Sequence, residues 1–182
     1  SSVDMDFRVE SNGNANMFFV DGGNDRVSIG TNSPEKLFDI RGSADNTLLE
    51  AIQLTNTDWA SGETGQQIAV NFKLQRGSAG IYDAGRIAVG KDDDWDDAGA
   101  SDSHMAFHTT LNGTRAEKMR IDKDGKIGIG TDAPTSQMSA NKIVEIFSTG
   151  IASLALNGNN GSRFELTSDT GDDFKVSRNG ST

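Results

Sequence analysis

Apolar and polar residues alternate along much of this chain, in short runs that turn-forming residues separate. The alternation is clear at 66–75 (QQIAVNFKLQ) and 104–111 (HMAFHTTL), and similar short runs occupy 48–54 and 85–90. A period of two residues places every second side chain on one face of an extended strand. Glycine, aspartate, serine and asparagine fill the gaps, at a spacing typical of β-sandwiches. The pattern predicts an all-β fold.

The same rhythm continues towards the end of the chain. Four more apolar runs predict strands, at 143–147, 154–156, 164–166 and 174–176. A helix over 136–147 is the alternative for the first of these runs, because Met138, Ile143 and Phe147 would loosely share one helical face. Strand pairing is the preferred interpretation.

One octet occurs twice in the chain. Residues 27–34 read VSIGTNSP and residues 127–134 read IGIGTDAP, 100 positions later. A one-residue indel extends the match upstream, to 18–21 (FFVD) and 118–122 (KMRID). Each copy is predicted to be a β-hairpin with a proline-terminated exit, and the pair Asp124-Gly125 is a favoured hairpin turn. The chain therefore reuses one β-and-turn unit.

A second internal match joins the two ends, where 6–13 (DFRVESNG) resembles 173–180 (DFKVSRNG). The chain is therefore expected to be part of a longer one. Four segments are predicted: an N-terminal hairpin repeat or connector over 1–45, a β-sandwich-like module over 46–116, a second connector over 117–141, and a second β module over 142–182, truncated at a repeat that would continue.

The apolar pairs Val27/Ile29 and Ile127/Ile129 form faces too narrow to bury themselves, and an isolated hairpin is marginal in water. The two copies are too far apart to stack as a solenoid. Identical chains wrapped around a common axis would cover these faces and the strand edges. We therefore predict an elongated, intertwined homotrimer with Val27, Ile29, Ile127 and Ile129 at its axis.

The composition supports the prediction that the chain folds with a partner, and it excludes several classes of protein. Leu, Ile, Val and Phe make up 38 of 182 residues, about 21%, close to the roughly 20% below which charged chains tend towards disorder. The net charge of −10 argues against nucleic-acid binding. The absence of cysteine excludes disulfides and thiolate metal sites, and no apolar run is long enough to cross a membrane.

An ordered set of blocks carries a family resemblance: 85–91 (GRIAVGK), 105–110 (MAFHTT), 117–122 (EKMRID) and 127–131 (IGIGT). This set closely resembles the repeat blocks of tail-fibre proteins from tailed bacteriophages, especially marine ones, and residues 14–21 resemble the linker block of the same family. The resemblance covers most of the chain. It implies a trimeric, β-rich virion appendage, extracellular when it functions, that carries host-recognition elements.

The expected function is that of a noncatalytic structural and adhesive segment of a phage tail fibre, supporting attachment to the host surface. Its partners would be identical chains and a host surface glycan or outer-membrane receptor, without nucleic acid or membrane insertion. Two alternatives stay open: a polysaccharide-degrading tailspike domain, and an adhesin fibre of a bacterial contractile injection system.

Three aromatic residues, Trp59, Trp95 and Tyr82, are the candidates for glycan contact, because exposed rings can stack on sugars. For the two tryptophans, packing over a strand end or a neighbouring chain is the alternative. No catalytic residue is assigned, because the sequence has no GxSxG elbow and neither histidine has an evident partner. No cofactor is expected.

Two patterns match part of a metal-binding site but lack some of the required residues. Asp92, Asp94 and Asp96 match the first three ligands of a calcium loop, but Asp97 replaces the required glycine and Ser103 the bidentate glutamate. A solvated acidic loop is preferred to a metal site there. His104 and His108 would share the strand face opposite Met105 and Phe107, and without a third ligand a surface role is predicted for both.

Overall fold

The computed structural model describes residues 5–58, 60–96, 99, 101–135, 142–157, 163–168 and 174–179. The chain divides into two compact units, Ser1–Leu54 and Thr55–Thr182. All thirteen regular elements in the described ranges are strands, so the predicted all-β class is confirmed. Among these residues no helix has the length and apolar character needed to cross a membrane.

The first unit contains one sheet of four strands in sequential order: β1 (Phe7–Val9), β2 (Phe18–Asp21), β3 (Arg26–Ile29) and β4 (Phe38–Ile40). Neighbouring strands are antiparallel from β1 to β3, and β4 returns parallel to β3.

The second unit contains a sheet of six strands and a sheet of three. The larger sheet is formed by β5 (Gln67–Gln75), β6 (Ile81–Lys91), β7 (Ser103–Leu111), β8 (Thr114–Ile121), β9 (Ile127–Ile129) and β10 (Val144–Ile146). They are adjacent in sequential order and antiparallel, except that β10 is parallel to β9. The smaller, antiparallel sheet comprises β11 (Ala152–Asn157), β12 (Arg163–Ser168) and β13 (Phe174–Asn179).

The two octet copies make the same backbone pairings. In each copy a hairpin leads into a loop, and a third strand then runs parallel to the hairpin's second strand. The N–H of Arg41 donates to the carbonyl of Ile29 at 2.9 Å, and the N–H of Phe147 donates to that of Ile129 at 2.8 Å.

A loop in each copy covers the central residue of the middle strand. Ser28 is fully buried, and its hydroxyl donates to the carbonyl of Thr31 at 2.6 Å. Gly128 occupies the same place in the second copy, where a Cβ would lie only 2.5 Å from the carbonyl oxygen of Thr131. The buried, hydrogen-bonded side chain of Ser28 in the first copy thus corresponds to a close backbone contact at Gly128 in the second.

Most predicted strands coincide with observed ones, but the strand predicted at 48–54 (LLEAIQL) is wrong. These residues have no regular secondary structure, and Leu48 is 81% exposed. The composition suits a strand, but a strand also needs a neighbour, and none of the described strands pairs with this segment. In the region where a helix was the alternative, Val144–Ile146 is a strand, and residues 136–141 lie outside the described ranges.

The hydrophobic core within the described residues is very small. Its only buried hydrophobic residues are Phe19, Ala88 and Ala106, whereas 27 large hydrophobic residues are exposed. Burial of apolar area is the main favourable term in folding. The isolated chain therefore lacks most of the apolar burial expected of a stable domain.

Gly130→Ala should destabilise the second unit more than Gly62→Ala. Both glycines have positive φ, +80° and +78°, so alanine at either position incurs a backbone cost of about 1–2 kcal/mol. At Gly130 the new Cβ would also lie 2.3 Å from the carbonyl of Phe147, whereas at Gly62 it meets nothing within 4 Å. We expect Gly130→Ala to cost at least about 1 kcal/mol more, since it disturbs the β9–β10 hydrogen bonding.

Urea unfolding at one fixed protein concentration measures this difference, and Gly62→Ala serves as the matched control. Equal losses in the two variants would mean that the close approach of residue 130 to residue 147 is unimportant.

Candidate functional site

Two rows of apolar side chains cross all six strands of the larger sheet on one face. Directly paired residues share a face. The first row contains Ile68, Val89, Met105, Ile121, Ile127 and Val144. The second row contains Val70, Ile87, Phe107, Met119, Ile129 and Ile146. We call these two rows the apolar rungs.

The sheet of the first unit has a similar face. Its four strands align Phe7, Val20, Val27 and Phe38 in one apolar row, and Ile29 pairs with Ile40 beside it. The rings of Phe7 and Phe18 pack edge to face with centroids 6.3 Å apart. The four sequence-predicted axis residues thus all lie on apolar sheet faces; their position at an axis stays a prediction.

The apolar rungs are only partly covered in the single chain, where six of their twelve side chains are exposed and six are half-buried. Val144 is 63% exposed, Val70 is 47% exposed, and Ile129 is 38% exposed. Exposed apolar area costs about 25 cal/mol per Å² relative to its burial, and contiguous apolar patches on a protein surface typically mark interaction sites. This face can therefore pack against another apolar surface.

The opposite face of the sheet is polar, and it is the better covered of the two. Between the apolar rungs it carries the row Ala69, Ala88, Ala106, Arg120, Gly128 and Glu145. Ala88 and Ala106 are each 1% exposed. Arg120 stretches across this face, where its guanidinium donates to Glu117 at 2.8 Å; this bond raises the pKa of Arg120. Small residues of the polar face therefore account for much of the burial in this sheet.

The structure does not bring two of the aromatic glycan candidates together. Tyr82 is the second residue of β6, whereas Trp95 follows the end of that strand, so nine strand residues, about 30 Å, separate Tyr82 from Lys91 alone. The Trp95 indole donates to the carbonyl of Asp102 at 2.7 Å, and Lys91 Nζ lies 5.4 Å from its ring centroid. Trp59 lies outside the described residues.

Tyr82 borders a cleft at the end of the sheet where the β5–β6 and β7–β8 turns lie. This turn-end cleft has a volume of about 740 Å³. Its lining comprises Lys73, Arg76, Ile81, Tyr82, Asp83, Thr110, Asn112 and Gly113.

Cations outnumber carboxylates at this cleft. Asp83 is its one acidic lining residue, and it pairs with Lys73 at 3.2 Å and with Arg115 Nη1 at 3.0 Å. The guanidinium of Arg76 lies 5.5 Å from the ring centroid of Tyr82, close enough for a cation–π contact. The local charge is therefore positive, in contrast to that of the whole chain.

The surface role predicted for His104 is wrong. This histidine is only 6% exposed, and its Nδ1 lies 2.6 Å from Asp92 Oδ1. Its ring packs over Gly90 on the neighbouring strand, where a Cβ would lie 2.7 Å from the imidazole. A glycine opposite the histidine makes room for the buried ring, a pairing that sequence inspection alone did not reveal.

The acidic loop shows no assembled metal site in the described residues. No group of three or more aspartate, glutamate or histidine side chains within them is placed to hold an ion. The Asp93 and Asp94 carboxylates instead accept bonds from the backbone N–H groups of Asp94 and Asp96, at 2.9 and 3.2 Å. Asp97 lies outside the described residues.

His108 belongs to a polar cluster that the sequence analysis missed. Arg86 Nη2 lies 2.9 Å from His108 Nε2, and a guanidinium can only donate, so Nε2 accepts and the imidazole is neutral with its proton on Nδ1. Burial, followed by the charge of Arg86, lowers the pKa of His108. The cross-strand pairing of Arg86 with His108, and of His108 with Glu117, assembles this cluster.

His108 should make stability fall as the solution becomes more acidic. Because its pKa is lowered on folding, the unfolded chain gains a proton below about pH 6.5 while the folded chain resists it. His108→Gln keeps an acceptor for Arg86 and removes this titration, so its stability should decline less steeply than that of wild type between pH 7 and pH 5. Urea unfolding across this range measures the pH dependence of the free energy of unfolding for both proteins. Parallel curves between pH 7 and pH 5 would contradict the expectation. Above pH 7.5 the two curves should run parallel.

Comparisons with known proteins name no relative: no family model matches the sequence, and no curated protein matches it. A functional interpretation therefore depends on the two sheet faces, the turn-end cleft and the sequence resemblance described above.

Proposed function

We propose that this chain is a noncatalytic structural and adhesive segment of a phage tail fibre, assembled as an elongated, intertwined homotrimer and acting outside the cell as part of the virion. The observation that supports assembly is the pair of partly covered apolar rungs. The virion assignment rests on the resemblance of the sequence blocks to tail-fibre repeats.

The size of the uncovered surface argues for a permanent partner. Full burial of a large aliphatic or aromatic side chain contributes roughly 1.5–3 kcal/mol. The six most exposed of the twelve rung side chains are 38–63% exposed, so completing their burial would supply roughly 4–8 kcal/mol, a large share of the roughly 5–15 kcal/mol by which typical domains are stable. A partner that covers this face would thus decide whether the chain is stably folded.

Identical chains are the simplest occupants of this face. In the proposed trimer three copies of the sheet turn their apolar faces towards one axis and leave their polar faces outside, and closed symmetry gives each copy the same contacts. The free edges β5 and β10 would then be protected by neighbouring chains. In this proposal residues 1–45 and 117–141 are the repeated connectors that link the β modules.

Three aspartates among the described residues have a pKa below the ordinary value, the opposite of what glycan cleavage requires of its acid. A glycosidase needs a carboxylic acid with a raised pKa. Hydrogen bonds from Asn24, Arg41 and Lys126 instead lower the pKa of Asp21, Asp39 and Asp124, respectively. These three carboxylates are therefore not candidates for the acid of a glycosidase.

Light scattering on the purified chain should give about 58 kDa, three times the chain mass of 19.4 kDa. Ile129→Asp should abolish this mass and lower the melting temperature, because three unpaired carboxylates would meet at the axis. Asn46→Asp is the charge control, since this exposed residue already has the positive φ that aspartate tolerates.

The control should keep the wild-type mass. If Ile129→Asp also kept the wild-type mass and melting temperature, the axial placement of residue 129 would be wrong.

Incubation with host surface polysaccharide should leave the length of the glycan chains unchanged, because the role is adhesive. Size-exclusion chromatography of the glycan before and after incubation measures this. Progressive shortening would instead establish the tailspike alternative.

A further inference from the structure

We propose that the turn-end cleft binds an acidic saccharide through a carboxylate, sulfate or phosphate group on the sugar chain. This inference rests on the adhesive role proposed above, and it adds a place and a ligand class to that role. Four observations support it: the local charge, a cation without a carboxylate partner, a neutralised aspartate, and a lining suited to sugar hydroxyls.

The strands and turns around the cleft are basic in an acidic chain. The cleft lining contains two basic side chains, Lys73 and Arg76, and one acidic side chain, Asp83, which also pairs with Arg115. The chain as a whole carries a net charge of −10. Opposite local and global charge favours a small anionic group at this end of the sheet.

Arg76 is the cation best placed for a ligand. Within the described residues it forms no ion pair, and its guanidinium is held over the ring of Tyr82. The turn is fixed by two backbone bonds of 2.9 Å, from Arg76 N–H to Gly80 and from Ala79 N–H to Arg76. The Tyr82 hydroxyl donates to Ala79 at 3.2 Å. The guanidinium is therefore positioned in advance and keeps its donors for an oxyanion.

The single carboxylate of the cleft does not cancel this charge. Asp83 is shared between Lys73 and Arg115, so it satisfies those cations and leaves Arg76 unneutralised. Two cations facing one carboxylate also leave a net positive charge around Asp83 itself. An incoming anion would meet an excess of positive charge.

The remaining lining favours a saccharide over other anions. Thr110 and Asn112 contribute neutral polar side chains to the lining. A nucleic acid, by contrast, would bring a long row of phosphates against a chain of net charge −10, and its affinity depends on clustered cations that extend along the backbone. The short basic end matches one or two charged sugars.

Isothermal titration calorimetry of the full chain tests the proposal with four probes: a polygalacturonate oligosaccharide, a sulfated dextran oligosaccharide, unmodified dextran of the same length, and single-stranded DNA. We expect at least one acidic saccharide to bind, with neutral dextran and DNA at least about tenfold weaker. Arg76→Gln should weaken the binding of the acidic saccharide at least about tenfold, because a charge-assisted hydrogen bond contributes about 1.5–3 kcal/mol.

Lys123→Gln is the matched control, because it removes one positive charge from a lysine that pairs with Asp102 at 2.5 Å, away from the cleft. The affinity of the Lys123→Gln variant for the acidic saccharide should stay within about twofold of that of wild type. Equal binding of neutral dextran, tighter binding of DNA, no binding of either acidic saccharide, or an unchanged affinity in Arg76→Gln would each overturn the proposal.

Light scattering on the same samples separates this proposal from the proposed assembly. Binding by a chain that is not trimeric would support the cleft and refute the homotrimer. A trimer of about 58 kDa that binds no acidic saccharide would refute the cleft alone.

Discussion

An apolar sheet face must be covered by a second layer, and this constraint governs the whole structure. The larger sheet places an apolar residue from every strand on the same face, twice in succession. In ordinary domains a helix layer or a second sheet covers such a face. Within the described residues only Phe19, Ala88 and Ala106 are buried hydrophobic residues, and none of them lies in an apolar rung. In the proposed assembly the stability of this chain depends on its partner chains, and hence on protein concentration.

The polar face shows how little burial the chain achieves by itself. Its covered positions are small, and loops or long polar side chains lie over them. Ser28 and Gly128 solve the same packing problem differently, since the hydroxyl of Ser28 binds the loop and the bare backbone of Gly128 admits it. The glycines that follow, Gly30 and Gly130, both adopt positive φ and lie close to a carbonyl of the returning chain. Sequence differences between the two copies thus leave their strand pairing unchanged.

Local pattern was sufficient to predict the fold class and most strands. Period-two alternation identified β5 and β7, and the octet identified β3 and β9. It failed at 48–54, because alternation and composition do not reveal whether another strand is near enough to pair. The parallel returns of β4 and β10 were missed for the same reason, since pairing after a loop of variable length is a nonlocal event.

The candidate site was harder to predict, because its parts come from distant segments. Tyr82 was found from its residue type alone, but its cleft needs the β5–β6 and β7–β8 turns to meet at one end of the sheet. The burial of His104 depended on Gly90 across the strand pair, and the neutral state of His108 depended on Arg86. Cross-strand register decides each of these, and register cannot be read from one strand.

The register also separates assembly from recognition within the second unit. The apolar rungs use all six strands, but β9 and β10 are only three residues long. They end before the turns that form the cleft, so there the sheet is built from β5 to β8 alone. An apolar partner can cover the six-stranded half while the basic turns keep their contact with solvent. The proposed packing and the proposed anion binding therefore draw on different residues, and a substitution at Arg76 need not disturb the packing of residues such as Ile129.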